Sequence, residues 1–408
     1  MSSFSIPLTG LEASSTALNT IANNLSNMNT TAFKSQNVSF SDLFYQQIGS
    51  NGAGNPLQVG AGTQVGSTET DFSQGSISET GNATDVALNG NGFFVVQNGG
   101  QSEYTRDGDF SLSAAGALTT QSGQQVMGYP VVNGAVDTNA PLAAIQVPVG
   151  QVEQPAATST MSMTANLDAG AAPGTVVPAQ ITVYDTLGVP HVATINFTNN
   201  GGGQWGYSIA LPPGDATGGS NLTGTLQFNA SGNLIAPAAN ASGIQFTGLS
   251  DGASSLNITW DLYNSSKQPT ITQVSSASAV SATNQNGYAS GEYSGFKIDS
   301  DGVVSATFSN GQTAAVGQLA LANITNVQGL TISAGNNYQT TLASGAASAG
   351  VAGSAGLGTM EDEALEQSNV DISTQFSDLI VAQQAFEASS KAITTFDTVS
   401  QETINMIH

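Results

Sequence analysis

Two histidines, His191 and His408, are the first candidates for acid–base chemistry in this chain. A hydrolytic triad needs an imidazole beside a hydroxyl nucleophile and an orienting carboxylate. His191 sits in a run that reads as a strand and His408 is the last residue, and neither lies near such a constellation. Asp299-Ser300-Asp301-Gly302 suggests calcium, but an EF-hand needs a longer ligand series closed by a bidentate Glu. Lys297 stands where the first ligand would be. The segment therefore reads as a β-turn, as does Asp107-Gly108-Asp109. The Gly-rich stretch 350–358 lacks the preceding strand and following Lys-Ser/Thr of a phosphate loop. There is no cysteine, which excludes disulfides, thiolate metal sites and thiol catalysis. Asn-x-Ser/Thr sequons occur, as any chain rich in those residues produces, and carry no assigned modification. No catalytic residue, cofactor or metal site emerges, so the chain reads as a non-enzyme.

Composition points the same way. Of 408 residues only 8% are charged, while 39% are hydrophobic. That is far below the roughly 25% charge of ordinary soluble domains. Small neutral residues fill the gap, which suits short strands joined by tight turns. The net charge is −23, and the five cations are Lys34, Arg106, Lys267, Lys297 and Lys391, widely scattered. Nucleic-acid binding needs clustered cations to displace condensed counterions, so it is excluded, as is adhesion to an anionic membrane. No apolar run approaches the length of a membrane span, and the first ten residues do not form a cleavable signal peptide. If exported, the chain is expected to leave without one.

The elements that would position any function divide the chain by period. Residues 1–30 have helical spacing: Leu11, Leu18 and Leu25 recur every seven, with Ile21 and Met28 beside them. Residues 31–70 read as extended and irregular, with a flexible patch at 49–54. From 71 the period becomes two, with turns at Asn89-Gly90, Asn98-Gly99, Asp107-Gly108 and Ala115-Gly116. Residues 71–146 and 285–342 read as one core β domain, interrupted by an inserted, looser β domain at 147–284. That insert includes strands at Ile181 to Tyr184, His191 to Phe197 and Leu256 to Trp260. Residues 343–358 read as an Ala/Gly/Ser linker. A long helix is predicted over 359–408, capped by Thr359 and Asp362. Its stripe is Leu365, Ile372, Leu379, Phe386 and Ile393, widened by Phe396. The fold class is mainly β with helical N- and C-terminal ends and nested, discontinuous domains. Both ends carry apolar stripes without flanking charges to specify a dimer, so they are expected to pack among many copies. Pairing of the two ends within one chain is the simpler alternative.

Specific motifs sharpen this. Ala22 to Lys34 (ANNLSNMNTTAFK) resembles the N-terminal signature of the bacterial flagellar axial proteins, the rod, hook and hook-associated family. Gln367-Ser368-Asn369-Val370-Asp371 and Ala382 to Ala388 (AQQAFEA) resemble its C-terminal signature. Asp85 to Val96 and Tyr104 to Phe110 are similar to the β segment shared by rod and hook members. Asn286 to Gly291, Tyr293 to Gly302, Phe308 to Gln312 and Gly317 to Ala322 resemble the return segment of the hook branch. The resemblance covers about 1–145 and 285–408.

The resemblance implies a homopolymer: a hollow, curved, flexible tube acting as a universal joint between rod and filament. The terminal helices would form a coiled-coil inner layer, with the core β domain in the middle and the inserted domain outside. Expected partners are further copies of itself, a rod protein, a hook-associated junction protein, a hook cap and the flagellar type III export apparatus. The expected location is the hook, outside the cell. Phe4 and Leu8 match a Phe-x-x-x-apolar pattern that resembles an export signal; the alternative is that both are interface residues of the first helix. A distal rod or hook-associated protein is the nearest rival, and a secreted β-rich adhesin is the rival from another class.

Overall fold

The computed structural model describes residues 5–50 and 56–407, which divide into two compact units. One comprises residues 1–149, 295–306 and 314–408, and the other 150–294 and 307–313. Residues 285–294 and 307–313, read from sequence with the core, thus group with the insert. Phe4, Gly52, Gly54 and His408 lie outside the described residues.

In the first unit the chain opens with helix α1, Ser5–Ser26. Pro7 falls in its first turn, where a missing N–H costs nothing. Gly10 lies inside the helix, where Gly costs about 1 kcal/mol relative to Ala. A Cβ there would meet Ser389 Oγ at 3.1 Å, so the glycine permits a close approach. The helix ends in the Asn cluster: Asn27 N and Nδ2 both donate to Asn23 O, and Ala32 takes a positive φ of 54°.

Residues 31–70 are more ordered than expected. Gln36–Asp42 pairs antiparallel with Thr63–Thr70, and Gln46–Ser50 pairs with Pro56–Val59. Alternation is weak in these strands because most of their side chains are exposed, which is why their period did not register.

The β core of this unit forms where period two predicted it. Phe93–Asn98 pairs with Gln101–Thr105 around the Asn98-Gly99 turn, where Gly99 and Gly100 both take positive φ. On the edge of Phe93–Asn98 opposite Gln101–Thr105, Leu321–Asn323 pairs at Phe93 and Phe94 and Gln125–Val132 at Val96 and Gln97. Phe93, Val95, Tyr104, Met127, Tyr129 and Tyr338 form one buried cluster, with Phe72 edge-on to Phe93 at 5.8 Å.

Two expectations near the C-terminus are corrected. The stretch 343–358 is no free linker: Ser348–Gly350 pairs with Leu321–Asn323, and Ser344 and Leu357 are buried. The long helix starts not at Thr359 but at Ile372; helix α2 is Ile372–Ile407. Thr359–Asp362 pairs with Val86–Asn89 and Ala364–Glu366 with Ile77–Glu79. Glu363 between them has a φ of 52°, which no helix interior allows. Met360 points inward from the first of these strands, and Ala364 and Glu366 do so at period two in the second. The cap is Asp371, whose Oδ1 accepts the Thr374 N–H at 2.8 Å, three residues on. That bond holds the Asp371 carboxyl below its ordinary pKa. Leu365 therefore belongs to a strand and leaves the helical stripe.

The second unit is a β-sandwich. One sheet runs Ala216–Ser220, Ala241–Leu249, Leu256–Asp261, Thr160–Asp168 and Ile271–Val274, with Ala279–Gln285 also on Thr160–Asp168. The other runs Val176–Tyr184, Pro190–Gly201, Gln204–Ala210, Thr223–Phe228 and Leu234–Ala236. Their inner faces share one core in which Trp205 and Trp260 are fully buried, Tyr207 standing edge-on to Trp260 at 5.2 Å. At one end His191, on the second sheet, reaches Asp185 and also Asp215, which precedes a strand of the first. Burial alone would lower the His191 pKa, but hydrogen bonds to Asp215 and Asp185 outweigh it and raise it. The turn expected at Asp299 to Gly302 is present in the first unit: Gly302 N donates to Asp299 O at 2.8 Å, and Gly302 has a φ of 79°.

Candidate functional site

The two terminal signatures, more than 330 residues apart in sequence, meet in space. Asn24 is buried in α1, and its Nδ2 donates to Gln375 Oε1 of α2 at 3.0 Å and to Gln36 O at 2.8 Å. Its Oδ1 accepts the Gln36 N–H at 3.0 Å. One side chain thus ties α1, α2 and the strand that follows α1.

Lys34, which the sequence offered as one of five scattered cations, is also buried. Its Nζ donates to Glu366 Oε1 at 2.6 Å and to Ser73 O at 2.7 Å. Arg106 comes within 3.5 Å of the other Glu366 oxygen and lies over the Phe93 ring at 5.5 Å. Its Nη2 donates to Gly90 O at 2.7 Å. Burial pushes both cations toward lower pKa, and Glu366 works against it in each. Asn369 completes the junction: its Oδ1 accepts the Ser35 N–H at 2.8 Å, and its Nδ2 donates to Asp71 O at 2.8 Å. A buried charge cluster that spans both signatures fixes where α1 and α2 leave the β core.

The helices leave that junction as an antiparallel pair. Asn24 faces Gln375 at one end, and Gly10 approaches Ser389 at the other. The seam is built of small and polar residues. Ala13, Ile21 and Asn24 are buried on α1, and Gln375 and Ala382 on α2. Gln375, Ala382 and Ser389 recur every seven, interleaved with Leu379, Phe386 and Ile393. Those three larger residues are half-buried, as are Leu11, Leu18 and Leu25 on α1. The short seam side chains leave a groove of about 600 Å³ between the helices and the first hairpin, lined by Ala17, Phe40 and Ala385 among others.

Much apolar surface remains uncovered. Ile372, Phe396, Met28 and Leu8 from the sequence-predicted set are exposed. So are Phe376, Ile380 and Val381, the last at 65%. These fall between the positions of the seven-residue series, so a heptad count passed over them; their bulk on a chain poor in exposed charge was the available signal. With the pair in the Asn24–Gln375 register, α2 runs on past the described start of α1 and carries Val399, Ile404 and Met406 exposed. Phe44, Tyr45 and Ile48, in the segment read as extended and irregular, are likewise exposed, Phe44 at 94%.

Comparison with known proteins decides the family. The chain is 34% identical to the flagellar hook protein FlgE of Escherichia coli, over 99% of each chain.

The chain belongs to the flagellar hook protein family.

The hook protein of Salmonella typhimurium is also 34% identical, over 99% of this chain and all of that one. That of Treponema pallidum is 32% identical over 98% of each. Family models match in four successive pieces: flagella basal body rod protein at 7–34, and flagellar hook protein FlgE/F/G D1 domain at 87–166. Flagellar basal body protein FlaE D2 domain follows at 157–288, then flagellar basal body rod FlgEFG protein C-terminal at 361–406. A crystal structure of Helicobacter pylori flagellar hook protein FlgE2 shares the fold, with a TM-score of 0.53 at 13% identity over 71% of this chain. The hook family is structural, so this is a structural protein of the flagellar hook and not an enzyme.

Proposed function

We propose that copies of this chain polymerise through α1 and α2 into a hollow, curved, flexible tube that passes torque from rod to filament. The observation that carries this reading is the uncovered apolar surface of α2. Leu, Ile and Phe side chains each gain about 1.5–3 kcal/mol on full burial. A helix pair that closes on Ala, Ser, Asn and Gln while leaving Phe376, Ile380, Val381 and Ile404 in water is a surface for neighbouring copies. The interface comprises Leu11, Leu18, Ile21, Leu25, Met28, Ile372, Leu379, Phe386, Ile393 and Phe396, with Ile21 also serving the internal seam. Leu365 supports the β junction instead.

The tube's other partners are a rod protein, a hook-associated junction protein and a cap. The chain reaches them outside the cell by the flagellar type III export apparatus. Leu8, exposed on α1, is free to take part in export recognition with Phe4. The flexible joint does not rest on 343–358, which is folded into the β core; sliding between subunits supplies it.

The test is polymerisation of the purified chain, followed by electron microscopy. Ile380→Asp changes a residue exposed in the single chain and is expected to abolish tubes while thermal unfolding of the β units stays unchanged. Leu379→Asp and Phe386→Asp are expected to do the same. Normal tubes from all three variants would overturn the assignment of α2 to the interface.

A further inference from the structure

His191 faces carboxylates on both ring nitrogens. Nδ1 lies 3.1 Å from Asp215 Oδ2. Nε2 lies 3.2 Å from Asp185 Oδ2 and 3.7 Å from Asp251 Oδ2. The other oxygens of the two carboxylates at Nε2 are already engaged. Asp185 Oδ1 accepts the N–H groups of Leu187 and Val189 at 2.8 and 2.9 Å, and Asp251 Oδ1 accepts that of Ala253 at 2.9 Å. Both carboxylates are thereby locked with one oxygen aimed at the imidazole.

A neutral imidazole has one hydrogen for these two faces. When it is given to Asp215, the Nε2 lone pair looks directly at the oxygens of Asp185 and Asp251. His191 is 4% exposed and the Asp185 side chain 0%, so two unpartnered acceptors then face each other out of water, which is costly unless a second ring proton, favoured by the raised His191 pKa, or a metal cation stands between them. None of the hydrogen bonds or ion pairs made by Lys or Arg among the described residues reaches this cluster.

We infer that Asp185, His191 and Asp251 form a binding site for a zinc-class divalent metal ion, with Asp215 orienting the imidazole. The ligand atoms of the three residues all lie within 4.8 Å of one another. Bonds of about 2.0–2.2 Å in a tetrahedral site put ligand atoms roughly 3.3–3.5 Å apart, and the Nε2 separations of 3.2 and 3.7 Å bracket that range. One nitrogen and two carboxylates suit zinc, cobalt or nickel. They are too few for calcium, which takes six to eight oxygens. Asp215 on Nδ1 supplies the outer carboxylate that fixes the tautomer of a metal-bound histidine. Three ligands leave a fourth position for water. The ion would tie strands of both sheets of the sandwich at one end, a fastening for a domain that lacks disulfides.

The test is titration of the intact chain with Co²⁺ alone, read by its visible d–d absorption, and with Zn²⁺ alone, read by calorimetry. The expected result is one saturable equivalent with the absorption of a tetrahedral site, and a raised unfolding temperature for the second unit. Asp251→Asn alters the most exposed ligand and should leave the fold intact while weakening binding at least about tenfold; Asp215→Asn should weaken it by about 10–100-fold. His191→Gln, which keeps His408, should abolish the absorption. Absence of saturable binding to the folded chain would overturn the site. So would equal binding by the chain and its Asp251→Asn variant, which would place the metal on His408 or on scattered carboxylates.

Discussion

At the scale of single residues, the junction at Glu366 draws two buried cations onto one buried carboxylate. Arg106 Nε has no hydrogen-bond partner. Removing one partner of a buried ion pair typically costs about 3–5 kcal/mol, because the other charge stays behind. Glu366→Gln is therefore expected to destabilise the first unit by about that amount, seen as a lowered denaturant midpoint for that unit. The second unit should unfold as before. Asp107 makes a pH-dependent prediction. Desolvation raises its pKa to about 6, helped by Asp109 and Asp85 and opposed by the Asp109 N–H. A raised folded-state pKa means that burying the charged form costs stability, and that the cost disappears when the carboxyl is protonated. The native chain should thus gain stability relative to Asp107→Asn as pH falls from 7 to 4. The variant should be the more stable at pH 7, and parallel unfolding curves across that range would contradict the assignment.

At the scale of elements, α1 and α2 show what a stripe of heptads does and does not specify. The large residues Leu379, Phe386 and Ile393 were expected to dominate contact, yet the closest approach is made by Gly10, Ala13, Ala382 and Ser389. Small residues let the helix backbones come together, and the larger ones are displaced to the flanks. Gly10→Leu would force the pair apart, since even a Cβ meets Ser389 Oγ at 3.1 Å. That variant should lose the Asn24-anchored register progressively toward the Gly10 end. Faster amide exchange in residues 5–17 and 382–395 would report it, with residues 21–26 still protected. Uniform protection along both helices would contradict the close-approach role of Gly10.

At the scale of the molecule, the division of labour is between surfaces that close within one chain and surfaces left for other copies. Truncation after Thr398 removes the part of α2 that runs beyond the described start of α1. It should leave the unfolding of a single chain unchanged and block tube growth. Tubes of normal length from the truncated chain would place the interface elsewhere on the helices.

The sequence by itself determined the fold class and the family. Those rest on local patterns: period two with Asn-Gly turns, period seven at the ends, and two signatures whose residues are contiguous. It also marked Leu11, Leu18 and Leu25, which do flank the helix seam. Tertiary structure alone decided the rest. The stretch 359–366 has helix-forming residues and a plausible cap, but pairing with Ile77–Glu79 and Val86–Asn89 satisfies its backbone and buries Met360 and Ala364, outweighing local preference. Lys34, Arg106 and Glu366 are far apart in sequence, and no period links them; nor does any pattern gather Asp185, His191, Asp215 and Asp251. Periodicity reports which face a residue occupies, and only the folded chain reports which charges that face brings together.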